Sequence, residues 1–268
     1  MNAPHKNDII INSWSELCDS LFIDSWNTSI HRYRTDYAYR GLNDKSLKQE
    51  NSFMRNCCNN ANLEYHMLRN FRKYAKMPDS HAFSSDWRVM TIGQHYGLPT
   101  RLLDWTYSPF IAAHFATNDI SQYDKDAIIW LVNFVQVNRL LPEPFKTVLE
   151  TEKANAFTIE MIENAVPTIN QFDQLTREKL LLFFEPPSID ERIVNQFAFF
   201  SAMSDPVAPL DDWLDQHPEM YRRIVIPAHL KWEIRDKLDQ ANITERILFP
   251  GLDGLAKWLS RHYTPKER

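Results

Sequence analysis

Five glycines in 268 residues constrain this chain more than any other feature. Average usage of ~7 % would give roughly nineteen. Folds that depend on glycine-rich turns are therefore closed to it. No G-x-G-x-x-G and no G-x-x-x-x-G-K-[ST] occurs, so neither a Rossmann dinucleotide turn nor a P-loop forms in its usual shape. The glycines fall in three places: Gly41 after Tyr39-Arg40, Gly93 and Gly97 in GQHYG, and Gly251 and Gly254 in GLDG. A chain that avoids glycine elsewhere uses it where the backbone needs freedom or close approach.

The remaining residues are those of an ordinary globular chain, 44 % hydrophobic and 13 % aromatic, so one core can span 1–268 as a single domain. A net charge of −5 argues against nucleic acid as a bulk electrostatic partner, because phosphate neutralisation needs clustered positive charge. The cysteines, Cys18 and the adjacent Cys57 and Cys58, are too few and odd in number for a disulfide scaffold, and they point to a reducing compartment. No metal-ligand spacing accompanies them. The first residues lack the apolar core of a signal peptide, and the longest apolar run, 127–135, is too short to cross a membrane. The expectation is a soluble, cytoplasmic protein without a membrane partner.

Hydrophobic period and capping residues outline the elements. Ser13 and Glu16 form a capping box for a helix ending near residue 24. TDYAYR (35–40) reads as a strand running into Gly41. Over 62–77, Leu63, Met67, Phe71 and Tyr74 make an apolar stripe, opposed by a basic side from His66 to Lys76 that is most simply a solvated face. Ser108-Pro109 opens a buried helix, and AIIWLVNF (127–134) reads as a buried strand. The stretch 142–187 reads as a helical insert. Ser188 and Glu191 form a second capping box, 197–203 is extended, and RRIVI (222–226) is a strand. A helix follows over 229–241, then a last strand at 245–249 and a last helix over 252–263. Strands and helices mix without a βαβ rhythm, so the class is α+β, with a mixed or antiparallel β core flanked by helices.

The chemistry-bearing residues cluster at two of the glycine sites. Arg40 ends a strand beside Gly41, and its planar donor fork suits a phosphate or carboxylate. On those three letters alone, a plain strand-end salt bridge is the favoured explanation. Between 94 and 108 stand His95, Thr100, Arg101, Asp104, Thr106 and Ser108, interleaved with Tyr96, Trp105 and Tyr107. Cation, carboxylate, hydroxyls and aromatics together suit a nucleotide or sugar phosphate. Alternatively, Arg101 and Asp104 pair to lock a turn and His95 is a core histidine. Gln196, in an apolar run, faces a partner or a pocket.

YRG at 39–41, QHYGLPTRLLDWTYSPFIAAHFA at 94–116, ERIVNQFAFFS at 191–201 and the block at 224–256 resemble the FRG domain, a family named for its Phe/Tyr-Arg-Gly motif. Ala198 stands where that family tends to have glycine. The family's occurrence in bacterial and phage-related proteins implies, by association, a defence or toxin effector. A looser resemblance links the aromatic-Arg-Gly strand end to ADP-ribosyltransferases, without their S-T-S or E-x-E motifs. It implies a related fold and NAD as substrate, with no metal. Tyr39, Arg40, Gly41, Thr100, Arg101, Thr106 and Tyr107 would then line the nucleotide, and Arg40, His95, Asp104 and Gln196 would be catalytic. In that scheme Asp104 steadies the oxocarbenium-like ribose and His95 is hydrogen-bond donor or general base. The expected partners are a nucleotide-type ligand and a macromolecular target, protein or nucleic acid. Two other readings stand beside it: a metal-independent nuclease or nucleotide-processing enzyme, and a non-catalytic module that senses a nucleotide or a phage protein.

Overall fold

A computed structural model describes residues 5–57, 60–76 and 83–266; Cys58 and Met77 lie outside these. The strands, in chain order, are β1 (Asp8–Ile10), β2 (Trp26–Asn27), β3 (Arg32–Tyr33), β4 (Tyr37–Leu42), β5 (Leu103–Thr106), β6 (Ala127–Asn133), β7 (Phe157–Thr158), β8 (Leu181–Glu185), β9 (Ala198–Met203) and β10 (Tyr221–Ile226). β2 and β3 pair with each other, and the rest form one sheet in the order β1-β10-β6-β4-β5-β9-β8-β7. Its outermost pairs are parallel and the inner ones antiparallel. The architecture is thus α+β, a mixed sheet flanked by helices.

Strand alternation divides the core. Ala38, Leu103, Trp105, Trp130 and Phe199 share one face with the helices Phe134–Asn138 and Leu210–Gln216. On the other face, Tyr39, Ile129 and Leu131 pack under the helices Trp14–Leu21, Pro109–Thr117 and Lys231–Gln240. Farther along that face, Leu182, Phe184 and Phe200 pack under Asp86–His95 and the helices of 143–174. Between these two groups lie β4 and β5, joined by a single rung, Tyr39 opposite Thr106. β4 otherwise follows β6, and β5 follows β9. The sheet is split at its centre, at the YRG and LDWT strands.

Several elements differ from the sequence reading for identifiable reasons. Over 62–77 the helix is Asn62–Tyr74, and its buried residues are Glu64 and Leu68. The expected stripe lies one position off, because Glu64 is drawn inward by Arg101 while Leu63 and Tyr74 remain exposed. The 245–249 strand is instead a helical turn, Glu245–Leu248, its acid tied to Arg261 at 2.7 Å. The helix Leu252–His262 crosses it closely at Gly254, where a Cβ would meet the Phe249 carbonyl oxygen at 1.9 Å. Asp190, not Ser188, caps the helix Glu191–Asn195, accepting from Ile193 N–H at 3.0 Å. The 142–187 stretch holds three helices, and its strand β8 is paired along β9 inside the sheet.

Gly41 also departs from its expected part. A Cβ there would sit 1.9 Å from the Ala112 carbonyl oxygen and 2.8 Å from Ala116 N. The glycine admits the backbone of the helix Pro109–Thr117, not a ligand. Gly41→Ala forces that helix off the sheet, and overpacking against backbone costs about 3 kcal/mol. Urea denaturation is expected to show this as a lower midpoint with an unchanged slope; an unmoved midpoint would show that the helix has room.

Candidate functional site

Arg40 stands at the split. Its Nη1 donates to the Asp104 carbonyl at 2.6 Å, supplying a side-chain bond where the β4–β5 ladder has stopped. The two residues meet, but through the Asp104 main chain. Alternation puts the Arg40 side chain on the face of Ala38 and Leu42, and the Asp104 carboxylate on the opposite one. Burial lowers the Arg40 pKa; Asp104 and Asp211 oppose that, and Arg55 reinforces it. The Nε of Arg40 is buried and has no hydrogen-bond partner among the described residues.

The exposed Asp104 carboxylate accepts from Gln94 Nε2 at 3.0 Å. The Gln94 Oε1 accepts the Thr100 hydroxyl at 2.7 Å, and that hydroxyl accepts Leu102 N–H at 3.1 Å. Thr100 is wholly buried, so it serves to position Gln94.

Most of the residues expected to line a nucleotide are absorbed by the fold. Arg101 does not pair with Asp104. Its Nε and Nη2 donate to Glu64 at 2.7 and 2.5 Å, and Nη2 also reaches Asp173 at 3.0 Å. Nη1 donates to Asp173 and to the Met203 carbonyl. Burial disfavours this charge, but Glu64 and Asp173 outweigh it and hold the guanidinium above its usual pKa. Such a saturated donor fork has nothing left for a ligand. Tyr39 is wholly buried, donates to the Leu21 carbonyl at 3.0 Å, and is pushed up in pKa by that burial. The Thr106 hydroxyl donates to the Gln196 carbonyl at 2.7 Å. Tyr107 stacks on Phe199 and donates to Glu185 at 3.0 Å; burial, then the Glu185 charge, raises its pKa. Gln196 Nε2 donates to the Leu248 carbonyl at 2.9 Å, so its amide joins two helices and does not face a pocket. Phe197, next to it, is 60 % exposed and takes a left-handed φ of 46°. That turn aims the Gln196 and Phe197 carbonyls together at Thr106 and at Tyr107 N–H.

His95 is the expected residue that gains a chemical partner. It is the last residue of the helix Asp86–His95, and its Nε2 lies 2.6 Å from Asp190 Oδ2. Asp190 is doubly fixed, because its other oxygen caps the helix Glu191–Asn195. The carboxylate selects the tautomer with the proton on Nε2, leaving Nδ1 as the basic nitrogen. Asp190 also lines a cleft of about 600 Å³ with Glu191, Arg192, Phe249, Pro250, Asp253, Gly254 and Lys257. Arg192 and Lys257 lie 5.1 and 5.8 Å from the Phe249 ring centroid. The cleft therefore offers an aromatic face and two cations, and its wall residue Asp190 holds the His95 imidazole beside it.

A family model matches here. Residues 35–125 match the FRG domain. That span carries the YRG strand and the 94–108 block, so both the split and His95 lie within the FRG segment, while Asp190, Arg192 and Lys257 lie outside it. No curated protein and no solved structure matched the chain. Among the described residues no helix is long and apolar enough to cross a membrane, and no three His, Cys, Asp or Glu side chains are grouped to hold a metal ion.

Asp190, Arg192, Phe249 and Lys257 were not singled out from the sequence. Asp190 was legible as an N-cap three residues before Ile193. The others had no local signal: Arg192 and Phe249 come from the two helical segments that Gln196 ties together, and Lys257 from the helix Leu252–His262.

Proposed function

We propose that the chain is a nucleotide-processing enzyme whose general base is His95 and whose substrate lies in the cleft beside Asp190. The 2.6 Å His95–Asp190 contact carries this reading. The carboxylate contact fixes the largely buried imidazole, and a fixed imidazole with one free basic nitrogen can take a proton from an attacking hydroxyl. Arg192 and Lys257 suit phosphoryl oxygens, and Phe249 suits a base. In the step this implies, a water or ribose hydroxyl gives its proton to Nδ1 as the new P–O bond forms. The leaving oxygen breaks from phosphorus and takes a proton from solvent. Asp190 is a positioning residue.

One observation favours a second reading of the same region. Asp104 is exposed, oriented by Gln94, and held beside the residue that precedes His95 in sequence. A carboxylate so placed can steady the cationic ribose formed when NAD loses nicotinamide. Tyr39, Gly41, Arg101 and Thr106 do not support that reading, being occupied elsewhere, and Arg40 projects from the opposite sheet face.

Incubation with a labelled oligoribonucleotide and, separately, with labelled NAD tests both. Turnover of the oligonucleotide is expected, falling about 10²–10⁴-fold in His95→Ala and less in Asp190→Asn. Nicotinamide release lost in Asp104→Asn would favour the second reading. Absence of turnover on either substrate, or His95→Ala activity equal to wild type, would overturn the proposal.

A further inference from the structure

The sheet face away from His95 holds three polar side chains with buried atoms whose hydrogen bonds are unmet among the described residues. Trp130 lies directly opposite Arg40 in the β4–β6 ladder, so their side chains are nearest neighbours on one face. Trp130 is 3 % exposed and its Nε1–H has no acceptor among the described residues. Arg40 Nε–H, across the rung, has none either. Gln49, in the segment leading away from β4, is 1 % exposed with both amide atoms unpartnered.

Gln49 lies under the same helical cover as this pair. Its N–H donates to Asp211 Oδ2 at 2.7 Å, and Asp211 belongs to the helix Leu210–Gln216 that covers the Trp130 face. Asp211 and Arg55 both act electrostatically on Arg40. Trp130 is held rigidly from its other side, stacked on Tyr221 at 5.3 Å with Arg223 4.9 Å over the ring. Arg223 is itself anchored to Asp8 at 2.6 Å.

Buried polar groups are normally paired, and each orphan costs stability unless something occupies it. Here the orphans are mainly donors, two of them cross-strand neighbours, with a guanidinium at the centre and a second guanidinium nearby. Asp104 contributes only its carbonyl on this side, leaving Asp211 as the nearby carboxylate. We propose that Arg40, Trp130 and Gln49 form a binding site for a compact oxyanion, a phosphate group, on the face opposite the His95 cleft. The site is independent of the proposed catalysis: it uses other residues and is read by binding, not turnover.

The test is titration calorimetry of the full chain with inorganic phosphate and pyrophosphate, against sodium chloride at matched ionic strength. Trp130→Phe removes the indole N–H and keeps an aromatic ring; Gln49→Leu removes the amide and keeps its approximate shape. Wild type is expected to bind phosphate or pyrophosphate, with each substitution weakening binding about tenfold, as loss of one hydrogen bond does. Equal binding by the variants would overturn the site. So would no binding of either anion by wild type; a higher melting temperature in both variants would then mark the orphan groups as simply dry.

Discussion

Arg101→Ala is expected to lower the unfolding free energy by about 3–5 kcal/mol, the cost of leaving a buried charge without its partner. That is a large fraction of the ~5–15 kcal/mol by which a domain is stable. Two acids are stranded: Glu64 is 1 % exposed, and Asp173 holds both Arg101 and the Tyr65 hydroxyl, the latter at 2.6 Å. The guanidinium also ties the helix Asn62–Tyr74 and the Ile169–Gln174 helix to the end of β9 through the Met203 carbonyl. Its loss should therefore loosen three elements together. Replacing Arg101, Glu64 and Asp173 together by Met, Leu and Asn is expected to recover most of the loss, since removing a whole buried ion group is often nearly neutral. Guanidinium denaturation of the single and triple variants checks both statements. A single variant within 1 kcal/mol of wild type would contradict them.

The behaviour of Arg101 shows where the sequence was legible and where it was not. Local patterns were readable because their causes are local. Ser13 caps its helix by accepting from Glu16 N–H at 3.2 Å, although Glu16 reaches back to Asn12 N–H at 2.8 Å and not to Ser13. Pro109 begins the buried helix, and AIIWLV is a strand. The strand end at Arg40 and the block around Asp104 meet at 2.6 Å, across 64 positions of chain. The side chain each residue would face was not readable. The partners of Arg101 come from residues 64 and 173, and the close approach at Gly41 comes from Ala112. A motif of polar letters is the same whether its donors face a ligand or a buried acid. Only the strand alternation at the split, with Arg40 and the Asp104 carboxylate on opposite faces, separates the two. His95 was distinguishable from a core histidine only once Asp190 stood beside it.

The second large effect is on acid stability, through a histidine outside both sites. His114 is wholly buried in the helix Pro109–Thr117, and its Nδ1 lies 2.8 Å from Arg235 Nη1. A guanidinium donates and never accepts, so Nδ1 is the unprotonated nitrogen. Burial first, and then the Arg235 charge, lowers the His114 pKa to about 3. The surrounding charges are already matched: Arg235 to Asp239 at 3.1 Å, and Arg261 to Asp239 and Glu245 at 2.7 Å each. In the unfolded chain His114 titrates near 6.5. Between about 6.5 and 3 the unfolded state binds a proton that the folded state refuses, so stability rises with pH there. The contribution of neutral His114 is complete above 6.5 and is lost as pH falls, at up to about 1.4 kcal/mol per pH unit. Across the whole window it is on the order of several kcal/mol. The depressed pKa of Glu245, which Arg261 maintains against burial, adds its own loss only at lower pH. His114→Gln keeps a neutral acceptor toward Arg235 and cannot titrate. Denaturation midpoints at pH 7.5, 6.0 and 5.0 should therefore fall less steeply in the variant than in wild type. Parallel pH dependences would show that His114 is protonated in the fold, and that Arg235 lies farther from it than 2.8 Å.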